Sequence, residues 1–105
     1  MKSNLTISKI FNYPNPFISE TTFGFEDNEP NEALKVDISI FNMNGKLIRD
    51  LQSDIMSAGD RQTIQWNGTT YGGAPIAPGM YIYRLTVTDS NGQVAQKSQK
   101  LLFIK

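Results

Sequence analysis

Two segments of this chain alternate apolar and polar residues with a period of two and then break at an Asn-Gly pair. That pattern limits the fold more than any other feature. Leu34, Val36, Ile38 and Ile40 fall on one face of an extended segment, with Lys35, Asp37 and Ser39 on the other. Met80 to Thr88 repeats the arrangement, with Tyr81, Tyr83, Leu85 and Val87 on one face and Ile82, Arg84 and Thr86 on the other. A helix would scatter each apolar set around its circumference, whereas a strand packed against a second layer gathers it on one side. Asn44-Gly45 and Asn91-Gly92 tolerate the positive φ angles of a type I′ turn, so each predicts a hairpin. The first returns through 46–51 and the second through 93–104. Leu47, Ile48 and Leu51 do not share a face, so the first return strand is expected to carry a bulge or strong twist.

The remaining segments read the same way. Residues 5–11, 21–25 and 61–66 are short strands, the second offering Phe23 and Phe25 to one face and the third Ile64 and Trp66. Helical periodicity is nearly absent, and turn signals recur roughly every eight to twelve residues, as in a sandwich or barrel. About seven strands result, and the economical arrangement is all-β: an Ig-like antiparallel β-sandwich filling one domain over residues 1–105. Residues 26–32 form an acidic loop with Pro30 inside it. Residues 67–79 form a second loop, rich in glycine and proline, between strands.

Composition removes several functions. Ten lysines and arginines balance ten aspartates and glutamates, so no net field draws the chain to nucleic acid or anionic lipid. There is no cysteine and no histidine, which excludes thiolate chemistry and any catalyst built on a histidine base. No apolar run is long enough for a membrane-spanning helix, and the N-terminus lacks the apolar core of a signal peptide. If the domain is exported, the signal is expected on a longer parent chain.

Each candidate site meets a plainer reading. The 67–79 loop leads into a strand and has no lysine, unlike a phosphate cradle. Glu26, Asp27, Glu29 and Glu32 supply oxygen ligands without the spacing of a calcium loop, so neither a metal nor a cofactor is expected. Scattered acids on so small a sandwich leave no cleft for a glycosidase pair. Trp66, Tyr71, Tyr81 and Tyr83 raise the idea of a sugar platform, but Trp66 alternates with Ile64 as a core residue does. Tyr71 is the ring expected at the surface. Asn67-Gly68-Thr69 and Asn4-Leu5-Thr6 match a glycosylation sequon, too common a pattern to decide anything. In Tyr13-Pro14-Asn15-Pro16-Phe17 the prolines lock φ and remove two N–H donors. This predicts a stiff corner where the chain crosses between sheets, with Phe17 in the core.

Taken in order, several of these motifs resemble the C-terminal domains of type IX secretion cargo of Bacteroidetes. They are Tyr13-Pro14-Asn15-Pro16-Phe17, the strand running into Ile40 to Arg49, Trp66-Asn67-Gly68, Pro78-Gly79-Met80-Tyr81 and the terminal Lys100 to Lys105. The tryptophan-glycine and proline-glycine-x-tyrosine elements are also similar to the Ig-like domain of flagellar hook-capping proteins. Within the cargo family, the likeness is nearest to the domain that ends the surface sortase.

The resemblance implies a non-catalytic address, read by outer-membrane translocon and shuttle proteins, on a parent carrying its catalytic domain upstream. The parent would pass through the periplasm to the cell surface or medium. The implied recognition segment is Lys100, Leu101, Leu102, Ile104 and Lys105, offered as a free strand edge that a partner extends. Pro14, Asn15, Pro16, Phe17, Gly45, Gly79 and Tyr81 would shape the fold. Two other readings stay open: an assembly domain of the hook-capping kind, and a carbohydrate-binding accessory module.

Overall fold

The computed structural model describes residues 5–28, 33–56, 61–70 and 72–104. Seven strands make it up: β1 (Ile7–Tyr13), β2 (Thr21–Asp27), β3 (Ala33–Asn42), β4 (Leu47–Met56), β5 (Arg61–Trp66), β6 (Gly79–Asp89) and β7 (Val94–Phe103). All ladders are antiparallel, in a three-stranded sheet ordered β1-β2-β5 and a four-stranded sheet ordered β4-β3-β6-β7. The two sheets face each other as an Ig-like sandwich, as the alternation predicts.

The alternating sets become the core. Leu34, Val36, Ile38 and Ile40 from β3 and Tyr81, Tyr83, Leu85 and Val87 from β6 are all buried. The opposite sheet contributes Phe23, Phe25 and Trp66. At one end lies an aromatic cluster whose ring centres are spaced 4.9 Å for Phe17–Phe103, 5.8 Å for Phe17–Trp66 and 4.7 Å for Phe23–Tyr83. Tilted rings at these separations are favourable beyond the area they bury. The Tyr83 hydroxyl is buried with no hydrogen-bond partner among the described residues, and burial pushes its pKa up to about 12. Outside the core, the Phe11 ring lies over Gly24, where a Cβ would come within 2.1 Å of it, and the Arg61 guanidinium stacks 4.8 Å from the same ring.

The bulge in the first hairpin is present. Ile40 pairs with Arg49 but Phe41 pairs with Leu47, so Ile48 is the extra residue. The turns differ from the expected type I′. Gly45 N–H donates to the Asn42 carbonyl (3.0 Å) and Asn42 N–H to the Lys46 carbonyl (2.9 Å), giving a three-residue connection. Only after that turn does Gly45 adopt φ of 84°. The cause is the residue before the turn: Asn42 Oδ1 accepts from the N–H groups of both Asn44 and Lys46, at 2.9 Å each. Asp89 does the same for Asn91 (2.9 Å) and Gln93 (2.8 Å), with Gly92 at φ of 83°. A side-chain acceptor that caps two amides starts the turn early and leaves a single left-handed position for glycine.

A second difference concerns residues 14–20. They do not cross between sheets. They join β1 to β2 within the three-stranded sheet, and on the way Phe17 forms a parallel bridge with Phe103 at the end of the other sheet. Both the Tyr13-Pro14 and the Asn15-Pro16 peptide bonds are cis.

Candidate interaction surface

β7 is an edge strand, with β6 on one side only. Its pairing with β6 uses one set of backbone groups and turns those of the even-numbered residues outward. Near its C-terminal end these outward groups are taken. Phe17 N–H donates to the Leu102 carbonyl (3.0 Å), and Ile104 N–H donates to the Phe17 carbonyl (2.9 Å). Leu102 N–H donates to Asn15 Oδ1 (3.1 Å), while Asn15 Nδ2 donates to the Lys100 carbonyl (3.4 Å).

The Pro-Asn-Pro sequence explains this arrangement. Prolines have no N–H to give to a neighbouring strand. The Asn15 carboxamide carries both a donor and an acceptor, and so stands in for a peptide group. Asn15 Nδ2 also lies 3.3 Å from Asn12 Oδ1, Asn12 Nδ2 lies 3.3 Å from Thr21 Oγ1, and the Thr21 hydroxyl donates to the Pro14 carbonyl (2.9 Å). Asn12 and Thr21 are buried. The corner is therefore a strap that closes the last stretch of the β7 edge.

This corrects the expected free edge at Lys100 to Ile104, because Asn15 and Phe17 already occupy its backbone groups. Earlier in β7 the outward groups of Gln96 and Ser98 have no backbone partner among the described residues. There, however, Lys97 and Gln99 stand at core-facing positions, opposite Leu85 and Tyr83, and remain exposed. An inward-pointing lysine on an edge strand opposes strand addition.

The terminal residues separate by face. Leu101 is fully buried and Phe103 nearly so. Lys100 and Ile104 are exposed and Leu102 half-buried; Lys105 lies outside the described residues. On the outer face of the four-stranded sheet, cross-strand pairing forms the row Leu47–Phe41–Ile82–Lys100, with Met80–Leu102 beside it. Leu47 (41%), Met80 (39%) and Ile104 (44%) keep substantial exposure, while the Arg84 guanidinium partly covers Phe41 from 5.2 Å. The result is a ridge of apolar side chains on an otherwise polar face, flanked by exposed Lys46 and Lys100. Of the terminal motif, Leu102 and Ile104 belong to it and Lys100 borders it, whereas Leu101 and Phe103 face the core. The available signal was Ile82, an aliphatic residue among Arg84, Thr86 and Thr88 on the polar side of the β6 alternation.

The fold-shaping residues lie where the turns and strap need them. Gly79 has φ of 150° at the start of β6. The Tyr81 hydroxyl donates to the Ala77 carbonyl at 2.5 Å and so ties the 67–78 loop to the strand that follows it. Arg49, on the bulged stretch of β4, holds the other end of that loop. Its Nη1 donates to the Thr69 carbonyl (3.1 Å), the Thr69 hydroxyl oxygen (2.9 Å) and the Thr70 carbonyl (3.0 Å). No sequence pattern singled out Arg49. Trp66, Tyr81 and Tyr83 are buried, so these rings offer no stacking platform to a sugar. Tyr71, Glu29 and Glu32 lie outside the described residues.

Further along the same outer face, Asp37 and Asp50 sit on diagonal positions of β3 and β4, since Asp37 pairs with Gln52 and Asp50 with Ser39. The Ser39 hydroxyl donates to Asp37 Oδ1 (3.2 Å), and Gln52 Nε2 donates to Asp50 Oδ2 (3.1 Å). Burial, followed by the hydrogen bond and charge of the Asp50 carboxyl, raises the Asp37 pKa from 3.8 to about 6; Ser39 and Arg84 oppose the rise. A carboxyl whose folded pKa is raised holds its proton more tightly in the folded state. Its contribution is therefore full below the unfolded pKa and is lost as pH climbs through the folded one. Urea midpoints should fall between pH 3.8 and about 6 by more in the wild type than in Asp37→Asn. Parallel profiles for the two proteins would show that Asp37 does not carry the effect.

A comparison with curated proteins returned no match. Among solved structures, the dimeric latent PorU of Porphyromonas gingivalis superposes on 98% of this chain with a TM-score of 0.83 and 25% identity. This chain spans 10% of the PorU chain. FlgD of Xanthomonas campestris, described in terms of hook capping in flagellar assembly, gives a TM-score of 0.62 and 21% identity over 93% of this chain and 67% of its own. β-Glucuronidase 2 of Bacteroides uniformis matches 95% of this chain with 14% of its length, at a TM-score of 0.58 and 16% identity. The last two likenesses are of fold alone. Residues 15–93, which run from the strap through the second hairpin turn, match the family model for the FlgD Ig-like domain, and this chain belongs to that family.

Proposed function

We propose that this domain is a non-catalytic targeting and interaction module that directs a parent protein through the type IX secretion system to the cell surface. The observation that carries the reading is the terminal segment itself. Its backbone edge is closed by the strap, while Leu102 and Ile104 join Ile82, Met80 and Leu47 on one partly exposed apolar ridge that Lys100 borders. A folded address must be read from its surface, and exposed apolar patches on small domains mark docking sites. The order of motifs along the chain and the likeness of 98% of this chain to a part of PorU support the same reading. The partners are outer-membrane translocon and shuttle proteins, and catalysis belongs to a domain elsewhere in the parent.

The test is a fluorescent reporter carrying an export signal and fused to residues 1–105, expressed in a type IX-competent host. Delivery to the surface or medium, with the reporter alone retained in the periplasm, supports the proposal. Equal retention of both overturns it. The family match favours one second reading, an assembly domain of the kind found in FlgD. That reading predicts retention together with concentration-dependent self-association of the isolated domain.

A further inference from the structure

Three Asn-Gly pairs occur in described turns or loops: Asn44-Gly45, Asn67-Gly68 and Asn91-Gly92, each with an exposed asparagine; Gly45 and Gly92 are exposed as well, whereas Gly68 is buried. In such a pair the glycine amide nitrogen is able to attack the preceding side-chain carboxamide, because glycine brings no side chain to block the approach. The fold treats the three differently. Gly45 N–H is committed to the Asn42 carbonyl (3.0 Å) and Gly92 N–H to the Asp89 carbonyl (3.1 Å). No described acceptor takes the Gly68 N–H; the Gly68 carbonyl is the group engaged, accepting from Ile76 N–H at 3.0 Å.

The Asn67 carboxamide is also polarised. The Thr69 hydroxyl donates to Asn67 Oδ1 at 2.6 Å, and Arg49 Nη1 donates to the same hydroxyl's oxygen at 2.9 Å. A guanidinium on the hydroxyl oxygen makes its proton a stronger donor. That donor is aimed at the oxygen that becomes negative when Asn67 Cγ turns tetrahedral, the geometry of an oxyanion hole. Asn67 is exposed and lines an open recess of about 270 Å³ together with Glu20, Arg49 and Gln65, which admits water.

We propose that Asn67-Gly68 is a self-modifying site whose succinimide formation is promoted by the Arg49–Thr69 relay. Gly68 nitrogen bonds to Asn67 Cγ as it gives up its proton, which leaves with the carboxamide nitrogen. The Cγ–N bond of the carboxamide breaks, and ammonia leaves. Water then opens the cyclic imide at either carbonyl, giving aspartate or isoaspartate at position 67. Water is the sole co-reactant, and no electrons are exchanged. The product places a carboxylate beside Arg49 where a neutral amide stood, at the joint between the 67–78 loop and the four-stranded sheet.

The test incubates the folded domain at neutral pH and follows all three sites by peptide mass, with an isoaspartate methyltransferase assay separating the two products. Asn67 is expected to convert several-fold faster than Asn44 and Asn91, and Thr69→Val is expected to remove most of that lead. Asn44 and Asn91 then serve as internal references, and a thermal melt of Thr69→Val reports whether the variant stays folded. Should it unfold, Thr69→Ser restores the donor and is expected to convert as the wild type does. In urea the three sites are expected to react at similar rates. Conversion of Asn67 no faster than the other two in the folded domain overturns the proposal. So does a lead that persists in urea, or one that survives in folded Thr69→Val.

Discussion

Phe17→Ala is expected to remove about 3–5 kcal/mol of stability, the cost of emptying a fully enclosed aromatic site. The ring has no exposed surface and touches both Trp66 and Phe103, which come from opposite sheets. Its backbone also makes the two hydrogen bonds that bridge to β7. The main-chain contacts survive in the alanine variant, so the loss reports the ring alone. Against a total stability of about 5–15 kcal/mol for a domain of this kind, the variant sits near unfolding. Ile18→Ala, at the 64% exposed neighbouring position, is expected to stay within about 0.5 kcal/mol of the wild type. Urea unfolding of the three proteins decides the matter. Equal losses at Phe17 and Ile18 would mean that the strap does not seat its ring in the core.

The second large effect concerns export. Ile82→Glu combined with Leu102→Glu places two charges on the apolar ridge and leaves the buried face of β6 and β7 untouched. A partner that docks on this ridge would have to desolvate both carboxylates, a cost of several kcal/mol for each. Delivery of the reporter is expected to fall by at least about tenfold, which corresponds to only about 1.4 kcal/mol of lost affinity. The melting temperature should change little, because both residues are half-buried on the solvent side. Deleting Lys100 to Lys105 is a poorer experiment. It takes Leu101 and Phe103 out of the core along with the proposed signal, so failure to export would not separate unfolding from lost recognition. Normal delivery of the folded double variant would remove the ridge from the account.

Much of the fold was legible because it rests on period-two burial. β3 and β6 carry unbroken alternation, and both lie in the interior of their sheet with a strand on either side. The mismatch at Leu47, Ile48 and Leu51 likewise announced the bulge. Local contacts set by one side chain were harder to read. The acceptors of Asn42 and Asp89 shifted both turns away from the simple Asn-Gly form.

Long-range polar contacts were not legible at all. Asn15 meets Leu102 across 87 positions of sequence, and Arg49 reaches Thr69 across the edge of the sandwich. Nothing in residue spacing encodes such meetings. The terminal motif did not reveal that its backbone is closed or that half of its apolar residues face inward. The ridge was visible only as an aliphatic residue on a polar face at Ile82.

The central structural claim is that the strap occupies the terminal edge of β7 and leaves side chains, rather than backbone, for a partner to read. Amide hydrogen exchange of the isolated domain under native conditions tests it most directly. The N–H groups of Leu102 and Ile104, bonded to Asn15 and Phe17, are predicted to be strongly protected, and those of Gln96 and Ser98 on the same outward edge to exchange quickly. Rapid exchange at all four positions would contradict the account and return the last residues of the chain to a free edge open to strand addition.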